Sequence, residues 1–232
     1  MRSLNLKDCL KYFINSLRIF FILFFISKLV YANNAHNNAD NKLLLDQFLK
    51  HNTITASFKQ TIYGKKKNII TTGKFDIARP NKFIWQYDDG QKIISDAKKL
   101  YIYDSLLQEV TVSNLKFALG KSPALLLSGG NNLKNYYKIV SQNTNVMYDS
   151  VILYPLNNAT QDHQNNINNA HFKQIVLFFN KHDHLLSHMD LLDSVDNKTT
   201  IEFFNMHFDI TYSKTKFIFK IPDGVDIINQ NS

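Results

Sequence analysis

The chain has 232 residues, 44% of them hydrophobic, with a single cysteine and a formal net charge of +8. Much of that charge lies at the start: removing the five Lys/Arg and one Asp of residues 1–32 leaves 22 basic against 18 acidic side chains, a net of +4 over 200 residues. Such a balance is too weak to argue for nucleic acid, and the remaining length is one that a single domain can fill.

Residues 1–32 read as a secretory leader and not as part of a fold. Arg2, Lys7, Lys11 and Arg18 make a basic start, "IFFILFFI" follows from Ile19 to Ile26, and Val30-Tyr31-Ala32 fits the small-residue rule for cleavage. The apolar run is bracketed by Arg18 and Lys28 and falls short of the roughly 20 apolar residues of a spanning helix. Cleavage after Ala32 would leave residues 33–232 as one exported domain and discard Cys9. A lipid-modified lipoprotein needs a cysteine just after the apolar run, and none is there. The product would have no thiol, so no disulfide, no cysteine-ligated metal and no cysteine nucleophile.

The exported part opens on a helix. "ADNKLLLDQFLKH" sets Leu44, Leu45, Phe48 and Leu49 on one stripe, with Asp40 or Asn41 as a cap. Strands follow. "TITASFKQTIYGKKKNIITTGKFDIA" alternates through a hairpin with a polar, basic tip at Lys65-Lys66-Lys67, either a solvated tip or a docking contact for an acidic partner or a membrane surface. "KFIWQYDDGQKIISD" is a second hairpin turning at Asp89-Gly90, and "KKLYIYD" and "QEVTV" are two short strands. A helical island then interrupts the sheet. "LKFALG" is one piece; in "KSPALLLSGG", Ser122 caps, Pro123 takes the first helical position and Gly129-Gly130 stop the helix. Five strand-like segments complete an antiparallel meander: "NVMYDSVILYP", "HFKQIVLFFN", "HLLSHMDLLD", "TTIEFFNMHFD" and "KFIFKIP". The interval from Asn157 to Ala170 is polar and low in complexity, a loop.

Catalytic motifs are lacking. "GKS" at Gly120 to Ser122 lacks the earlier glycine of a phosphate-binding loop, because position 115 is Leu115. His182, His184 and His188 are close in sequence to Asp190, but a turn separates the first two from the others, so exposed histidines are expected and not a metal site. G-x-S-x-G, H-E-x-x-H and glycine-rich cofactor loops do not occur. Neither an enzyme nor a cofactor is implied.

The stretch "KFDIARPNKFIWQYDDGQ" carries the most information. Phe75, Ile77, Arg79, Phe83, Trp85 and Tyr87 share one parity and project from one face of an extended chain. That face is aromatic and aliphatic except for a permanent charge. With 13 phenylalanines in residues 33–232, it can be an ordinary filled core or the wall of a cavity for an apolar ligand. Chemistry alone would put Arg79 in a surface ion pair.

The blocks "ASFKQT", "GKFDIARPNKFIWQY", "IISDAKKLYIYD" and "SPALLLSG" lie in this order from Ala56 to Gly129. "LYP" at Leu153 to Pro155, "TTIEFFN" at Thr199 to Asn205 and "FKIPDGVDII" at Phe219 to Ile228 continue the series. In content and spacing they resemble the LolA family, the periplasmic carriers of outer-membrane lipoproteins, over nearly all of residues 33–232. The chain departs from the family pattern at Ala97, where glycine is usual after "SD", and at Asp196-Asn197, which replace a glycine-containing turn.

The resemblance implies a mainly β fold: an unclosed antiparallel β-barrel of about ten to eleven strands, covered by a lid of short α-helices around a hydrophobic cavity. It implies that Phe75, Ile77, Phe83, Trp85 and Tyr87 face the lipid and that Leu44, Phe48, Leu125, Leu126 and Leu127 belong to the lid. Arg79 would hold the lid shut through backbone carbonyls when no lipid is bound. The implied cargo is acylated lipoprotein, received from an inner-membrane Lol ABC transporter and given to the outer-membrane acceptor LolB; the carrier would be a periplasmic monomer. LolB is itself lipid-anchored, and the absence of a cysteine after residue 32 marks this chain as the carrier. An exported lipid hydrolase would need a nucleophile and base that are missing, and a sensor or structural domain of the same fold need not keep the arginine.

Overall fold

The structure is a computed structural model that describes residues 43–115, 123–143, 145–156 and 172–230. The leader, the proposed start of the exported chain, the Asp40/Asn41 and Ser122 caps, the "LKFALG" helix beyond Leu115 and the Asn-rich loop lie outside these residues, as does the side chain of Leu125.

Alternation along the chain becomes one long sheet. The first hairpin pairs β1 (Thr53–Ile62) with β2 (Ile69–Ala78), and β3 (Lys82–Tyr87), β4 (Lys92–Asp96), β5 (Lys99–Asp104) and β6 (Glu109–Asn114) add in turn. After the helical island come β7 (Tyr137–Asn143), β8 (Tyr148–Pro155), β9 (Phe172–Asn180), β10 (Leu186–Asp193) and β11 (Lys198–Phe208). β11 returns to pair with β1, and β12 (Asp226–Gln230) closes the list, so the sheet order is β12-β6-β5-β4-β3-β2-β1-β11-β10-β9-β8-β7. The two end strands do not meet. The sheet is an unclosed barrel, and β7 and β12 are its free edges.

Two details differ from the sequence expectation. "KFIFKIP" forms no strand; it lies in an arm of turns in which Phe217 packs edge-on against Tyr212 and Phe219 lies against Tyr101 and Tyr103. The arm ends instead in β12, the one parallel strand, paired with β6 from Asp226↔Glu109 to Gln230↔Ser113. With β7, which sequence reading passed over, the total among the described residues is twelve strands.

The core lies on one face of this sheet, beneath two helices. α1 (residues 43–50) buries Leu44, Leu45, Phe48 and Leu49, and α2 (Pro123–Ser128) buries Ala124, Leu126 and Leu127. Pro123 does open its helix, where a missing N–H costs nothing. The helix stops at Ser128, but the chain goes on as a 3-10 turn, Gly130–Asn135, that delivers β7 to the edge. Ring centroids place Phe48 6.2 Å from Phe179 on β9 and 6.3 Å from Phe208 on β11. The same ring lies 5.0 Å from the Arg79 guanidinium at the end of β2. One side chain thus bridges strands four places apart in the sheet, which curls around α1. A bulge where β1 meets β11, between Thr55 and Ser57, adds local bend.

No helix among the described residues is long and apolar enough to cross a membrane.

Candidate functional site

The shared parity read from the sequence is kept by the pairing. Phe75 on β2 stands opposite Trp85 on β3, Ile77 opposite Phe83, and Gly73 opposite Tyr87. Phe75, Ile77, Phe83 and Trp85 are all at most 2% exposed, and Tyr87 is half-buried. The rings pack face to face: Phe75 and Trp85 are stacked at 5.0 Å and 6°, and Phe58 from β1 lies 4.6 Å from Trp85. Gly73 makes that approach possible, since a Cβ there would meet the Gln86 carbonyl at 2.1 Å and the Phe58 ring at 2.7 Å. Leu44, Phe48, Leu126 and Leu127 of the two helices belong to the same apolar cluster.

Two polar groups sit inside this cluster. Burial pushes the Tyr87 phenol up, while the Trp85 N–H and Gln60 pull it the other way; the Gln60 contact is 3.4 Å. The Trp85 N–H itself is buried without an acceptor in hydrogen-bond geometry, because its approach to Tyr87 falls short of one. An unmade bond of that kind typically costs about 1–3 kcal/mol.

Arg79 lies where β2 turns into β3, at the rim of the apolar face. Its Nε and Nη2 donate to the Leu127 carbonyl at 3.1 and 2.8 Å, and its Nη1 donates to the His51 carbonyl. Both acceptors stand at helix C-terminal ends: His51 follows α1, and Leu127 is the penultimate residue of α2. Such carbonyls have no partner within their own helix and carry the negative end of its dipole. A planar fork of five donors suits them. Two backbone bonds flank the guanidinium, from Arg79 N–H to the Asn52 carbonyl at 2.8 Å and from Asn81 N–H to the Ser128 carbonyl at 2.9 Å. Burial lowers the arginine's pKa to about 10, so it stays charged at neutral pH. Among the described residues no carboxylate pairs with it.

Sequence reading missed the supports of this corner. Ser95 on β4 is wholly buried, and its hydroxyl donates to the Asn81 carbonyl at 2.6 Å while accepting from Ala97 N–H at 3.2 Å. An inward-facing serine inside "IISD" was the available signal. His51, Asn52 and Ser128 act through main-chain carbonyls, which side-chain chemistry does not reveal. The two departures from the family pattern also have a physical cost: Ala97 has φ 78° and Asp196 φ 69°, both in the left-handed region that favours glycine.

Among the described residues no three His, Cys, Asp or Glu side chains group as metal ligands. His188 is stacked on Phe178 at 4.2 Å, and burial lowers its pKa.

Comparison with known proteins agrees with the fold. The profile of the family described as outer membrane lipoprotein carrier protein LolA matches residues 50–220. The chain is similar to the outer-membrane lipoprotein carrier protein of Chromobacterium violaceum, 34% identical over 179 residues, covering 76% of this chain and 81% of that one. It is 35% identical over 180 residues to the protein of the same name from Nitrosomonas europaea (76% and 82% covered). Against that of Pseudomonas syringae pv. syringae it is 32% identical over 202 residues (84% and 91% covered). With an open twelve-stranded barrel, a helical lid and a family match over most of its described length, the chain belongs to the LolA family of outer membrane lipoprotein carrier proteins.

Proposed function

We propose that this chain is a periplasmic carrier that shields the acyl chains of lipoproteins in transit to the outer membrane. The observation that supports it most is the rim arginine, whose donors reach the C-terminal ends of both helices covering an aromatic face. Removing residues 1–32 would release residues 33–232 into the periplasm. An inner-membrane Lol ABC transporter would load the cargo and LolB would accept it, with the carrier acting as a monomer. No bond is made or broken, and no cofactor is required.

The physical need is large. Exposing acyl chain to water costs about 0.8 kcal/mol per CH₂, so a lipoprotein with three long chains faces roughly 30 kcal/mol in an aqueous compartment. Phe75, Ile77, Phe83, Trp85 and Tyr87 would meet the acyl chains once α1 and α2 swing away. Arg79 then acts as a latch. Its bonds exist only when the lid is closed, so closure competes with lipid and favours onward release.

Trp85 is the only tryptophan in the chain, and this makes a direct test possible. A lipopeptide whose acyl chains carry bromine should quench its emission on loading, and lipoproteins should co-purify with the periplasmic chain by mass spectrometry. Saturable lipopeptide binding with unchanged Trp85 emission would place the lipid elsewhere and refute the proposed face.

A further inference from the structure

At the end of the sheet opposite the lid, the β1–β2 hairpin projects a basic and apolar tip. The two strands pair out to Ile62↔Ile69, and Tyr63 N–H is still bonded to the Lys198 carbonyl at 3.0 Å. Beyond that bond the chain turns tightly through Gly64, where a Cβ would lie 2.4 Å from the Lys67 carbonyl. Every residue from 63 to 70 is exposed, including Ile69 at 60%, Ile70 at 59% and Tyr63 at 44%. Ile69 keeps the inward parity of Phe75 and Ile77, whereas Tyr63 and Ile70 lie on the outer parity. The tip is therefore apolar on both faces, with Lys65, Lys66 and Lys67 between them.

The charges at this end are unequal in their freedom. Lys65, Lys66 and Lys67 have no ion-pair partner among the described residues. The acidic groups of the neighbouring turns are engaged within the fold, Asp196 by an ion pair with Lys173. Asp104 accepts from the N–H groups of Leu106 and Leu107, Asp193 from those of Val195 and Asn197, and Asp88 from the Thr72 hydroxyl. The apolar residues of two of these turns are left outward: Leu106, Leu107 and Val195 are among the most exposed large apolar side chains.

A protein surface would cover one face of a hairpin. Isoleucines on both faces, a tyrosine at the base and three free amines call for a medium that surrounds the tip. The interfacial layer of a bilayer is such a medium: aliphatic side chains enter the acyl boundary, tyrosine sits at headgroup depth, and lysine amines extend to phosphates. The geometry points to the β1–β2 tip as a docking element for the headgroup layer of a bilayer containing anionic phospholipid. It rests on the hairpin and not on the cargo assignment, so the two readings can fail separately.

The test is co-sedimentation of the processed chain recovered from the periplasm with phosphatidylcholine vesicles, with and without phosphatidylglycerol. Wild type should bind the anionic vesicles. Lys65→Gln/Lys66→Gln/Lys67→Gln should lower the partition coefficient on the order of a hundredfold, each lysine contributing roughly fivefold. Ile69→Ser/Ile70→Ser should lower it too, and that loss should persist at high salt, where the lysine contribution is screened. All five positions are exposed, so circular dichroism and Trp85 quenching by brominated lipopeptide should match wild type in both variants. Equal partition of wild type and variants, or failure of wild type to bind anionic vesicles, overturns the inference. Lysine-dependent binding to polyglutamate without binding to vesicles also overturns it, in favour of an acidic protein partner.

Discussion

Replacing Arg79 with leucine separates the closed lid from the rest of the fold. The change removes the donors to the Leu127 and His51 carbonyls and the contact with the Phe48 ring. The backbone bonds to Asn52 and Ser128 remain. Two bonds to Leu127 share one acceptor, so two acceptors are lost, each contributing about 1.5–3 kcal/mol when the donor is charged. Against this stands the cost of burying the guanidinium. A pKa lowered by burial to about 10 corresponds to roughly 3 kcal/mol that leucine does not bear. The net loss to the closed state is about 0–3 kcal/mol, about 1.5 at mid-range, a shift of roughly tenfold towards open and at most about 150-fold. Amide hydrogen exchange in α1 and α2 of the empty protein should accelerate by that factor while β1 and β2 stay protected. Loaded Arg79→Leu should then transfer lipoprotein poorly to a purified acceptor, and cargo should accumulate on it. Arg79→Lys, a point charge without a fork, should fall between. The effect should be level from pH 5 to 9, because below about pH 10 the arginine is charged both folded and unfolded; only above that does loss of the proton relieve its burial. Wild-type exchange and transfer in Arg79→Leu would refute the latch.

Ala97→Gly should stabilise the protein by up to about 1 kcal/mol, since the left-handed backbone at Ala97 costs an L residue about 1–2 kcal/mol and glycine returns part of that as chain entropy; an unchanged or lower Tm would show that the corner is not strained. Tyr137, buried near the sheet edge, has its phenol pushed up to about 12. Between pH 10 and 12 the folded state keeps this proton and the unfolded state loses it, so stability should fall as pH rises, by about 1 kcal/mol at pH 11. Urea unfolding of Tyr137→Phe at pH 8 and 11 should lack that increment, and an identical decline would refute the assignment. Phe83→Ala, at a wholly enclosed position, should cost the empty protein about 3–5 kcal/mol in urea unfolding; a loss near zero would mean that the lid stands open most of the time.

Much of the fold was legible because burial and sequence period coincide. That Phe75, Ile77, Phe83 and Trp85 share one buried face follows from parity alone, and the α1 stripe and Pro123 mark helices by spacing and stereochemistry. The failures have physical causes. "KFIFKIP" alternates because Phe217 and Phe219 pack onto tyrosines, without the ladder bonds that would make it a strand. β12 is exposed at every position, so its side chains carry no inward-outward pattern; its place is set by backbone pairing at the edge of β6. At the rim, Arg79 announces itself as a charge on an apolar face, but its acceptors are peptide carbonyls at residues whose side chains give no hint of them.

That one guanidinium serves two helix ends would couple the two helices of the lid. If α1 lifted away, Arg79 would lose the His51 carbonyl and the Phe48 ring that covers it, and water would reach the guanidinium that still holds Leu127; departure of α2 would remove both bonds to Leu127. Each departing helix would thus leave the other's bond open to competition from water, so a half-open lid would be poorly held. On the proposed carrier reading, an acyl chain that displaced either helix would therefore loosen the hold on both.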